Sequence, residues 1–385
     1  MLKFTAVFMS IISMLTMLFT DIGGSDYTKL LTLNDVIYGT THMSEISSQK
    51  FEGEVSTEVF TGNEEYSLDS TTVLIKEKGR DFKILNIADI HLSDTGYRVP
   101  LSIEAELVMR RLISAEQPDL IILSGDIVCG DNSDYYSIRR ITDIMESYGI
   151  PWAPIFGNHD DEVNCDLNYL ADIMMTSPHC LMKKGDPEMG VGNYIINIAE
   201  ENEDGSLNVV SSLLMMDSHH SQVNGKQIKW VKWATDGINA LTDSKAEVSL
   251  FMHVPLAEYR IAYDLAWNGK TKSWNDGYKA CGECNETICC ARDSDGNPVT
   301  NGIYQVLKDA KTVKYVFCSH DHRNNFSLEY EGIRLTYMMK VGKSSGFQPG
   351  FNGGTVISIN SDGINKIEQK TLSFGFTVTL EEITV

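Results

Sequence analysis

The segment KILNIADIH, residues 83–91, decides the fold class of this chain. It begins with a short apolar run that has the length and composition of a buried β-strand. Residues 101–116 then have helical spacing, and residues 119–124 (DLIILS) form a second apolar run. A further helical stretch at 134–148 leads to a third strand at 152–156. Strands and helices that alternate at this spacing predict a parallel α/β sheet.

The rest of the chain extends this α/β core. Residues 21–80 are acidic and rich in Thr and Ser, and we predict that they form a β-rich N-terminal arm on a main domain at 81–385. At about 266–300, Gly, Asn, Asp and four cysteines break the pattern, which predicts an inserted loop. Hairpin-like segments are expected towards the C-terminus. The other predicted elements are strands at 193–198, 209–216, 248–252 and 314–318, and helices at 227–241, 256–265 and 301–310.

The composition limits what the protein can bind. The 385 residues include 53 acidic and 32 basic side chains, which gives a formal net charge of −21. Such a surface repels polyanions, so broad binding to nucleic acids or anionic membranes is not expected. Hydrophobic residues make up 42% of the chain, enough for a large packed core. An anionic substrate would have to be attracted locally.

The N-terminus predicts export. Lys3 precedes an uncharged run from Phe4 to Thr20 that is rich in Met, Ile, Leu and Phe. We interpret residues 1–20 as a signal peptide, with an uncleaved membrane anchor as the alternative, because the run is at the short limit for spanning a bilayer. A secreted or cell-surface protein is therefore expected, with membrane contact only through this segment. The oligomeric state does not follow from the sequence.

Side chains of the types that bind metals follow five of the predicted strands. Because the carboxyl ends of strands in an open α/β sheet form one edge, these side chains can converge although they are far apart in the chain. A buried cluster of carboxylates and imidazoles is costly to desolvate without cations, so a bound metal is the simplest compensation. The residues are Asp89, His91, Asp126, Asn158, His159, Asp160, His253, His320 and His322.

These residues stand in blocks that resemble the signature of a known superfamily. The blocks are Asp89-Ile90-His91, Gly125-Asp126, Gly157-Asn158-His159-Asp160, the isolated His253 and Ser319-His320-Asp321-His322. In order and spacing they resemble the calcineurin-like metallophosphoesterases, over about residues 82–340, and look closest to the purple-acid-phosphatase-like secreted branch. The resemblance implies a four-layer α/β/β/α sandwich of two mixed sheets with a two-metal site at one sheet edge.

The resemblance also implies a role for each residue. One metal would be held by Asp89, His91, Asp126 and His322, and the second by Asp126, Asn158, His253 and His320, with Asp126 bridging them. Two divalent or mixed-valence ions, Mn, Zn or Fe, suit this mixture of carboxylates and imidazoles. A hydroxide that bridges the metals would attack phosphorus. His159 would be the general acid for the leaving alkoxide, or else a group that orients Asn158.

Departures from the superfamily pattern argue against one class of substrate. The phosphoprotein phosphatases have an Asp and an Arg after the bridging Asp, whereas the segment 125–130 reads GDIVCG here, which speaks against a Ser/Thr protein phosphatase of that branch. Cys129 stands where typical purple acid phosphatases place a Tyr that ligates Fe(III), and His91 fills that role. Ser319 replaces the usual Gly of the fifth block, which is tolerated if the backbone there does not need a positive φ.

Other residues near these blocks are weaker candidates. Arg98 and Arg323 are close in sequence to ligand blocks and could hold the phosphate, although most such arginines are solvated or paired with acids. In the inserted loop, four cysteines form C-x2-C-x4-C-C, which is compatible with a disulfide, a structural zinc or neither. These are Cys281, Cys284, Cys289 and Cys290.

The sequence therefore favours a dinuclear metallophosphoesterase that hydrolyses small phosphate esters, most simply phosphomonoesters. A phosphodiesterase or nucleotide pyrophosphatase would use the same metal site and differ only in the pocket walls. A third hypothesis is a surface binding protein that kept the fold and lost the chemistry. The presence of every residue of the signature argues against that last hypothesis.

Overall fold

The structure is a computed structural model that describes most of the chain after the N-terminal segment. Residues 1–20 and the first part of the predicted arm lie outside the described residues, as does Arg98. No helix within the described ranges is long and apolar enough to span a bilayer. The described ranges are 51–93, 99–129, 135–162, 165–220, 223–346, 348–373 and 376–384.

The described residues form two large sheets and six α-helices. The helices are α1 (Val99–Glu116), α2 (Tyr135–Glu146), α3 (Leu167–Met175), α4 (Gly225–Thr242), α5 (Ala257–Ala266) and α6 (Ile303–Ala310). The first eight strands are β1 (Thr72–Ile75), β2 (Phe82–Ile87), β3 (Leu120–Ser124), β4 (Trp152–Ile155), β5 (Tyr194–Glu201), β6 (Leu207–Met215), β7 (Glu247–Phe251) and β8 (Trp267–Asn268). The other strands are β9 (Ser273–Trp274), β10 (Ala280–Cys281), β11 (Val313–Cys318), β12 (Ser327–Tyr330), β13 (Ile333–Tyr337), β14 (Gly353–Asn360), β15 (Gly363–Ser373) and β16 (Phe376–Thr384).

Both large sheets are mixed. The six-stranded sheet has the order β16-β15-β14-β2-β3-β4, in which β2, β3 and β4 are parallel and β14 joins β2 antiparallel. The eight-stranded sheet has the order β1-β5-β6-β7-β11-β13-β12-β10. Its centre, β6-β7-β11-β13, is parallel. The predicted parallel unit is thus confirmed, and antiparallel strands extend it.

The two sheets pack face to face, with helices outside. One core cluster combines residues of both sheets with residues of α1, α2 and α3, and within it the rings of Phe251 and Phe317 stack at 4.7 Å. A second cluster joins the other face of the eight-stranded sheet to α4, α5 and α6. The six-stranded sheet is so deeply covered that β3 is buried at every position. The predicted sandwich of two mixed sheets flanked by helices is confirmed.

Two peripheral segments lie against this sandwich. In the described part of the arm, β1 pairs parallel with β5, and Phe60 and Tyr66 pack on the ring of Trp233 in α4. In the predicted insertion, β8 and β9 form a short antiparallel pair, and its tryptophans pack on Tyr263 and Phe326. The division into arm, domain and insertion remains a prediction.

Candidate metal centre

The structure brings most of the predicted site residues to one place, between the carboxyl edges of the two sheets. Three strands of the six-stranded sheet and two of the eight-stranded sheet end there. Each strand is followed within three residues by a polar side chain. The predicted ligands nearest the strand ends are Asp89 after β2, Asp126 after β3, Asn158 after β4, His253 after β7 and His320 after β11.

The first ligand group contains Asp89, His91, Asp126 and His322, each offering one atom within 4.8 Å of the others. The Nε2 atoms of His91 and His322 are 3.1 Å apart. His322 Nε2 is 3.4 Å from Asp89 Oδ1, and His91 Nε2 is 3.5 Å from Asp126 Oδ2. Two carboxylates and two imidazoles thus face a common point.

The second ligand group shares Asp126 with the first and adds His253 and His320. His253 Nε2 is 3.3 Å from Asp126 Oδ1 and 3.3 Å from His320 Nδ1. The predicted fourth member, Asn158, lies in the loop after β4, and its Oδ1 is buried. Asp126 is therefore common to both groups, the position expected of a bridging ligand.

Unpaired oxygens show that these residues fit a cation. Buried polar atoms are almost always hydrogen-bonded, and each exception needs an explanation. Asp89 Oδ1, Asp126 Oδ2 and Asn158 Oδ1 are buried and have no hydrogen-bond partner. All three belong to predicted ligands, and Asp89 and Asp126 are at most 1% exposed. Divalent cations would satisfy these oxygens, and the nitrogen and oxygen donors suit Zn, Mn or Fe.

The backbone holds the ligands in conformations that L-residues rarely adopt. Asp89, His91, Asp126 and His320 have φ of 51°, 52°, 49° and 75°. Such strain costs of order 1–3 kcal/mol per residue and persists where the surrounding structure over-determines it, commonly at functional sites. Ser319 is not among the residues with positive φ, so its replacement of the usual Gly is accommodated.

Two glycines make room for these side chains. A Cβ on Gly157 would lie 2.3 Å from Asp126 Oδ1, and one on Gly125 would lie 2.4 Å from His253 Nδ1. Gly125 also has a φ of 88°, which favours glycine. The glycines of the second and third blocks are therefore required by close contact with the ligands.

The electrostatics reflect concentrated negative charge. Burial alone would raise the pKa of Asp126, but the charge and hydrogen bond of His253 hold it well below its usual value. Burial would lower the pKa of His253, yet the charge of Asp126 raises it to about 10. The pKa of His320 falls to about 4 because of burial and the charge of His253. Bound cations would replace the His253 proton, because a ligating His must be neutral.

Two residues that the sequence analysis did not predict as ligands support the centre. Ser319 Oγ donates to Ser124 O across 2.6 Å and is 3.0 Å from His253 Nδ1, which fixes that ring. Lys340, only 2% exposed, donates to the carbonyl of Asp89 across 2.7 Å. Burial lowers the pKa of Lys340 to about 8.

Asp160 belongs to the third block but had no assigned role. Its carboxylate accepts hydrogen bonds from Gly157 N at 2.7 Å and Val128 N at 2.9 Å. It thereby ties the loop after β3 to the loop after β4. Burial, reinforced by the charge of Asp126, raises the pKa of Asp160 to about 8.

The predicted general acid lies at the rim of the centre. The ring of His159 is 5.3 Å from the ring of His91, and its side chain is 37% exposed. Its Nδ1 is 2.7 Å from Glu162 Oε1. The backbone N–H of His159 donates to Asp126 Oδ1. His159 is thus fixed beside the ligand groups without belonging to either.

The other predicted positions are less closely tied to the centre. Arg323 forms an ion pair with Glu286 at 3.0 Å, so its guanidinium is already engaged. Cys129 is buried, with its thiol 3.5 Å from the carbonyl of His91. The cysteines of the insertion are all free thiols, and no disulfide links the residues that the structure describes.

Comparison with known proteins is consistent with this geometry. The family model for calcineurin-like phosphoesterases matches residues 82–324. Phosphatase DCR2 of Saccharomyces cerevisiae is 28% identical over 275 residues, which cover 64% of this chain and 45% of that protein. The chain thus spans about half the length of this relative. Probable inactive purple acid phosphatase 14 of Arabidopsis thaliana is 26% identical over 301 residues, covering 66% of this chain and 69% of the relative.

Among solved structures, a dimetal phosphatase from Danio rerio aligns with 79% of this chain and 99% of its own, at a TM-score of 0.47 and 13% identity. The family model includes all the blocks that the sequence analysis identified, from Asp89 to His322, and extends over more than half of the chain. The chain therefore belongs to the calcineurin-like phosphoesterase family.

Proposed function

We propose that this protein is a dinuclear metal-dependent phosphoric ester hydrolase that acts on phosphomonoesters. The observation that carries the proposal is the pair of ligand groups that share Asp126. Three of the proposed ligands present buried oxygens with no hydrogen-bond partner. If these side chains served packing alone, the free-energy cost of burying their polar groups would not be compensated.

The chain's own residues arrange the site for attack on phosphorus. Asp89, His91, Asp126 and His322 would hold one cation, and Asn158, His253 and His320 would join Asp126 in holding the other. When bound, two cations of this kind supply Lewis-acid stabilisation of the phosphoryl oxygens and activate a water for attack. Lys340 adds a cation beside Asp89, so the centre attracts phosphate although the whole chain is strongly acidic.

His159 is the proposed proton donor. A fully protonated imidazole carries one proton on each nitrogen. Glu162 Oε1, 2.7 Å from Nδ1, accepts a hydrogen bond from the Nδ1–H group and orients the ring. The Nε2 proton remains for the oxygen of the leaving alcohol. The position of the ring at the exposed rim suits this role, because the alcohol must depart towards solvent.

Export and substrate class complete the proposal. The uncharged run at 4–20 supports a secreted or cell-surface protein. The acidic surface favours a small phosphate ester over a nucleic acid as substrate. Detection of the protein in the medium or at the surface of the producing cell tests export.

The central test measures metal content and hydrolysis of p-nitrophenyl phosphate on the same preparation. We expect two metal ions per chain and turnover that a chelator abolishes. The double variant Asp126→Ala, His253→Ala should lose both metals and activity. Its matched control, Asp161→Ala with His220→Ala, removes an exposed pair of the same residue types at 3.1 Å and should keep both. Full activity in the first double variant would refute the proposal.

A phosphodiesterase is the second candidate. Phosphodiesterase YaeI of Escherichia coli is 35% identical to this chain over 97 residues, which cover 25% of the chain. Comparing bis-p-nitrophenyl phosphate with the monoester separates the two candidates. Two bound metals without hydrolysis of either ester would instead support a catalytically silent binding protein.

A further inference from the structure

The cysteines of the inserted loop have no role in the proposed function. The sequence places Cys281, Cys284, Cys289 and Cys290 within ten positions. Their spacing left a shared structural zinc open, but the four thiols do not form such a group among the residues that the structure describes. Cys289 alone of the four lies in a ligand group, and its partners, His320 and Asp321, belong to the fifth block of the signature.

That ligand group consists of Cys289, His320 and Asp321, each with one donor atom within 4.8 Å of the others. A thiol, an imidazole and a carboxylate are three ligands that zinc accepts in tetrahedral sites, with water as the fourth. The thiol also favours soft cations over the hard ones that carboxylates prefer. The group thus differs in chemistry from the two groups that share Asp126.

The geometry of this group is fixed by the backbone. Cys289 N donates to Asp321 Oδ2 at 3.1 Å and to Oδ1 at 3.3 Å. Asn324 Oδ1 accepts hydrogen bonds from the N–H groups of Asn285 and Glu286 at 2.9 and 3.1 Å. The loop is therefore bound along its length to the segment that carries His320.

The exposure of Cys289 and the acceptor sites of the Asp321 carboxylate both suit the binding of a cation from solvent. Cys289 is exposed, whereas Asp321 is only 5% exposed and is oriented by Tyr337, which donates to Oδ2. Asp321 Oδ1 accepts the longer arm of the bond from Cys289 N, and the Cys289 thiol also hydrogen-bonds to this carboxylate. Since a carboxylate offers about four lone-pair sites, Oδ1 retains capacity for a cation. A metal ion from solvent would meet the thiol first and the carboxylate behind it.

We propose that Cys289, His320 and Asp321 form an inhibitory site for a soft divalent cation such as Zn²⁺ or Cd²⁺. The inhibition rests on the proposed function, because His320 is also a ligand of the second metal. On binding, the thiol gives its proton to water and the sulfur forms a bond to the cation, with no change of oxidation state. The cation engages His320 and weakens its hold on the second metal, so hydrolysis falls.

The test uses the full chain loaded with Mn²⁺, which is a hard ion, and titrated with Cd²⁺. Binding is followed by the ultraviolet charge-transfer absorption of the cadmium–thiolate bond, and release of Mn²⁺ by electron paramagnetic resonance. Hydrolysis of p-nitrophenyl phosphate is measured in parallel. The variants are Cys289→Ser, the adjacent Cys290→Ser as matched control, and Asp321→Asn.

We expect Cd²⁺ to produce the absorption, release Mn²⁺ and inhibit hydrolysis in the wild type and in Cys290→Ser. Cys289→Ser should keep basal activity and bind Cd²⁺ on the order of 100-fold more weakly, since loss of even an outer-shell partner costs 10–100-fold. Asp321→Asn keeps an oxygen acceptor for Cys289 N but removes the charge, so it should also weaken binding.

Unchanged absorption and inhibition in Cys289→Ser, or equal losses in Cys290→Ser, would overturn the proposed site. Cadmium binding through Cys289 without release of Mn²⁺ or loss of activity would overturn the inhibitory role. A chain that binds Cd²⁺ through Cys289 but hydrolyses no ester would refute the proposed function and leave the cation site standing. The two proposals therefore fail in different ways.

Discussion

His159 donates its backbone N–H to Oδ1 of Asp126 across 2.9 Å. The carboxylate that both ligand groups share therefore also fixes the loop that carries the proposed proton donor. Its other oxygen, Oδ2, has no hydrogen-bond partner and lies 3.5 Å from His91 Nε2. One side chain thus links the proposed metal ligands to the proposed proton donor, and changes at Asp126 should affect both.

The variant Asp126→Asn tests the negative charge of Asp126 while nearly preserving the shape of the side chain. The amide oxygen can still accept the bond from His159 N, but the negative charge is lost. We expect metal content to fall and kcat/KM to drop by more than about 100-fold, because losing even an outer-shell partner costs 10–100-fold. Metal analysis and phosphatase assays measure the effect. The control is Asp161→Asn, which changes an exposed carboxylate two residues after His159 and should alter neither quantity.

His159→Gln tests the proton donor through the leaving group. Loss of a general acid should cost about 10²–10⁴-fold in kcat for alkyl phosphates. The loss should be much smaller for p-nitrophenyl phosphate, because nitrophenolate departs without a proton. Metal content should not change, since His159 belongs to neither ligand group. Equal losses for both substrates would instead indicate that His159 orients Asn158, and His220→Gln serves as an exposed control.

Gly157→Ala tests whether close contact positions the shared carboxylate. The new Cβ would lie 2.3 Å from Asp126 Oδ1, so Asp126 must move. Since Gly157 does not have a positive φ, the backbone itself tolerates alanine. We expect metal loss with the secondary structure retained, measured by metal analysis and circular dichroism. Gly225→Ala, where the new Cβ would meet no atom within 4 Å apart from its chain neighbours and its own helix backbone, should bind metal as the wild type does.

Local sequence patterns predicted the positions of strands and helices better than they predicted which strands are neighbours in a sheet. The apolar run at 83–88 became β2 (Phe82–Ile87) and the run at 119–124 became β3 (Leu120–Ser124), because each is bounded by polar residues. The partners of β11 could not be predicted in this way. It lies between β7 and β13 in the eight-stranded sheet, and that choice depends on packing between segments far apart in the chain.

The same distinction applies to the site. Asp89, Asp126 and His253 could be predicted because each directly follows an apolar strand, which places them at one sheet edge. Lys340 gave no such signal. Its backbone forms β-bridges to Ala88, just after β2, and to Asn352, just before β14, and its side chain is buried there. In the sequence it resembles any lysine of a hairpin, and tertiary contacts alone place it beside Asp89.

Lys340→Met tests this buried cation. Methionine approaches the length of lysine but cannot donate to the carbonyl of Asp89, so a buried acceptor loses its partner. Leaving such a group unsatisfied costs about 1–3 kcal/mol. We expect the free energy of unfolding to fall by this amount in urea denaturation of the metal-free protein. Lys343→Met is the control, since that side chain is 48% exposed and should cost much less. Equal losses of unfolding free energy in the two variants would show that the hydrogen bond from Lys340 to Asp89 adds no stability beyond that of an exposed lysine.

Glu200→Gln should change how stability depends on pH. Glu200 Oε1 is 2.6 Å from Lys76 Nζ, with side chains 9% and 2% exposed. The hydrogen bond from Lys76, followed by that from Ser361, lowers the pKa of Glu200 below its usual value of 4.5. A carboxyl whose pKa is lower in the folded state contributes stability that is fully present above the unfolded value and is lost as pH falls through the folded value.

The wild type should therefore lose this contribution progressively at pH values below about 4.5. The variant lacks the titrating group, so its stability should be lower at neutral pH and should fall less steeply in acid. Breaking a buried pair costs about 3–5 kcal/mol, because the partner charge remains uncompensated. Urea denaturation of both proteins across the acid range measures the difference. The control is Glu203→Gln, which changes an exposed neighbour and should follow the wild-type dependence of stability on pH. If the stability of Glu200→Gln changed with pH in parallel with the wild type, the pair with Lys76 would not cause the acid-dependent loss of stability.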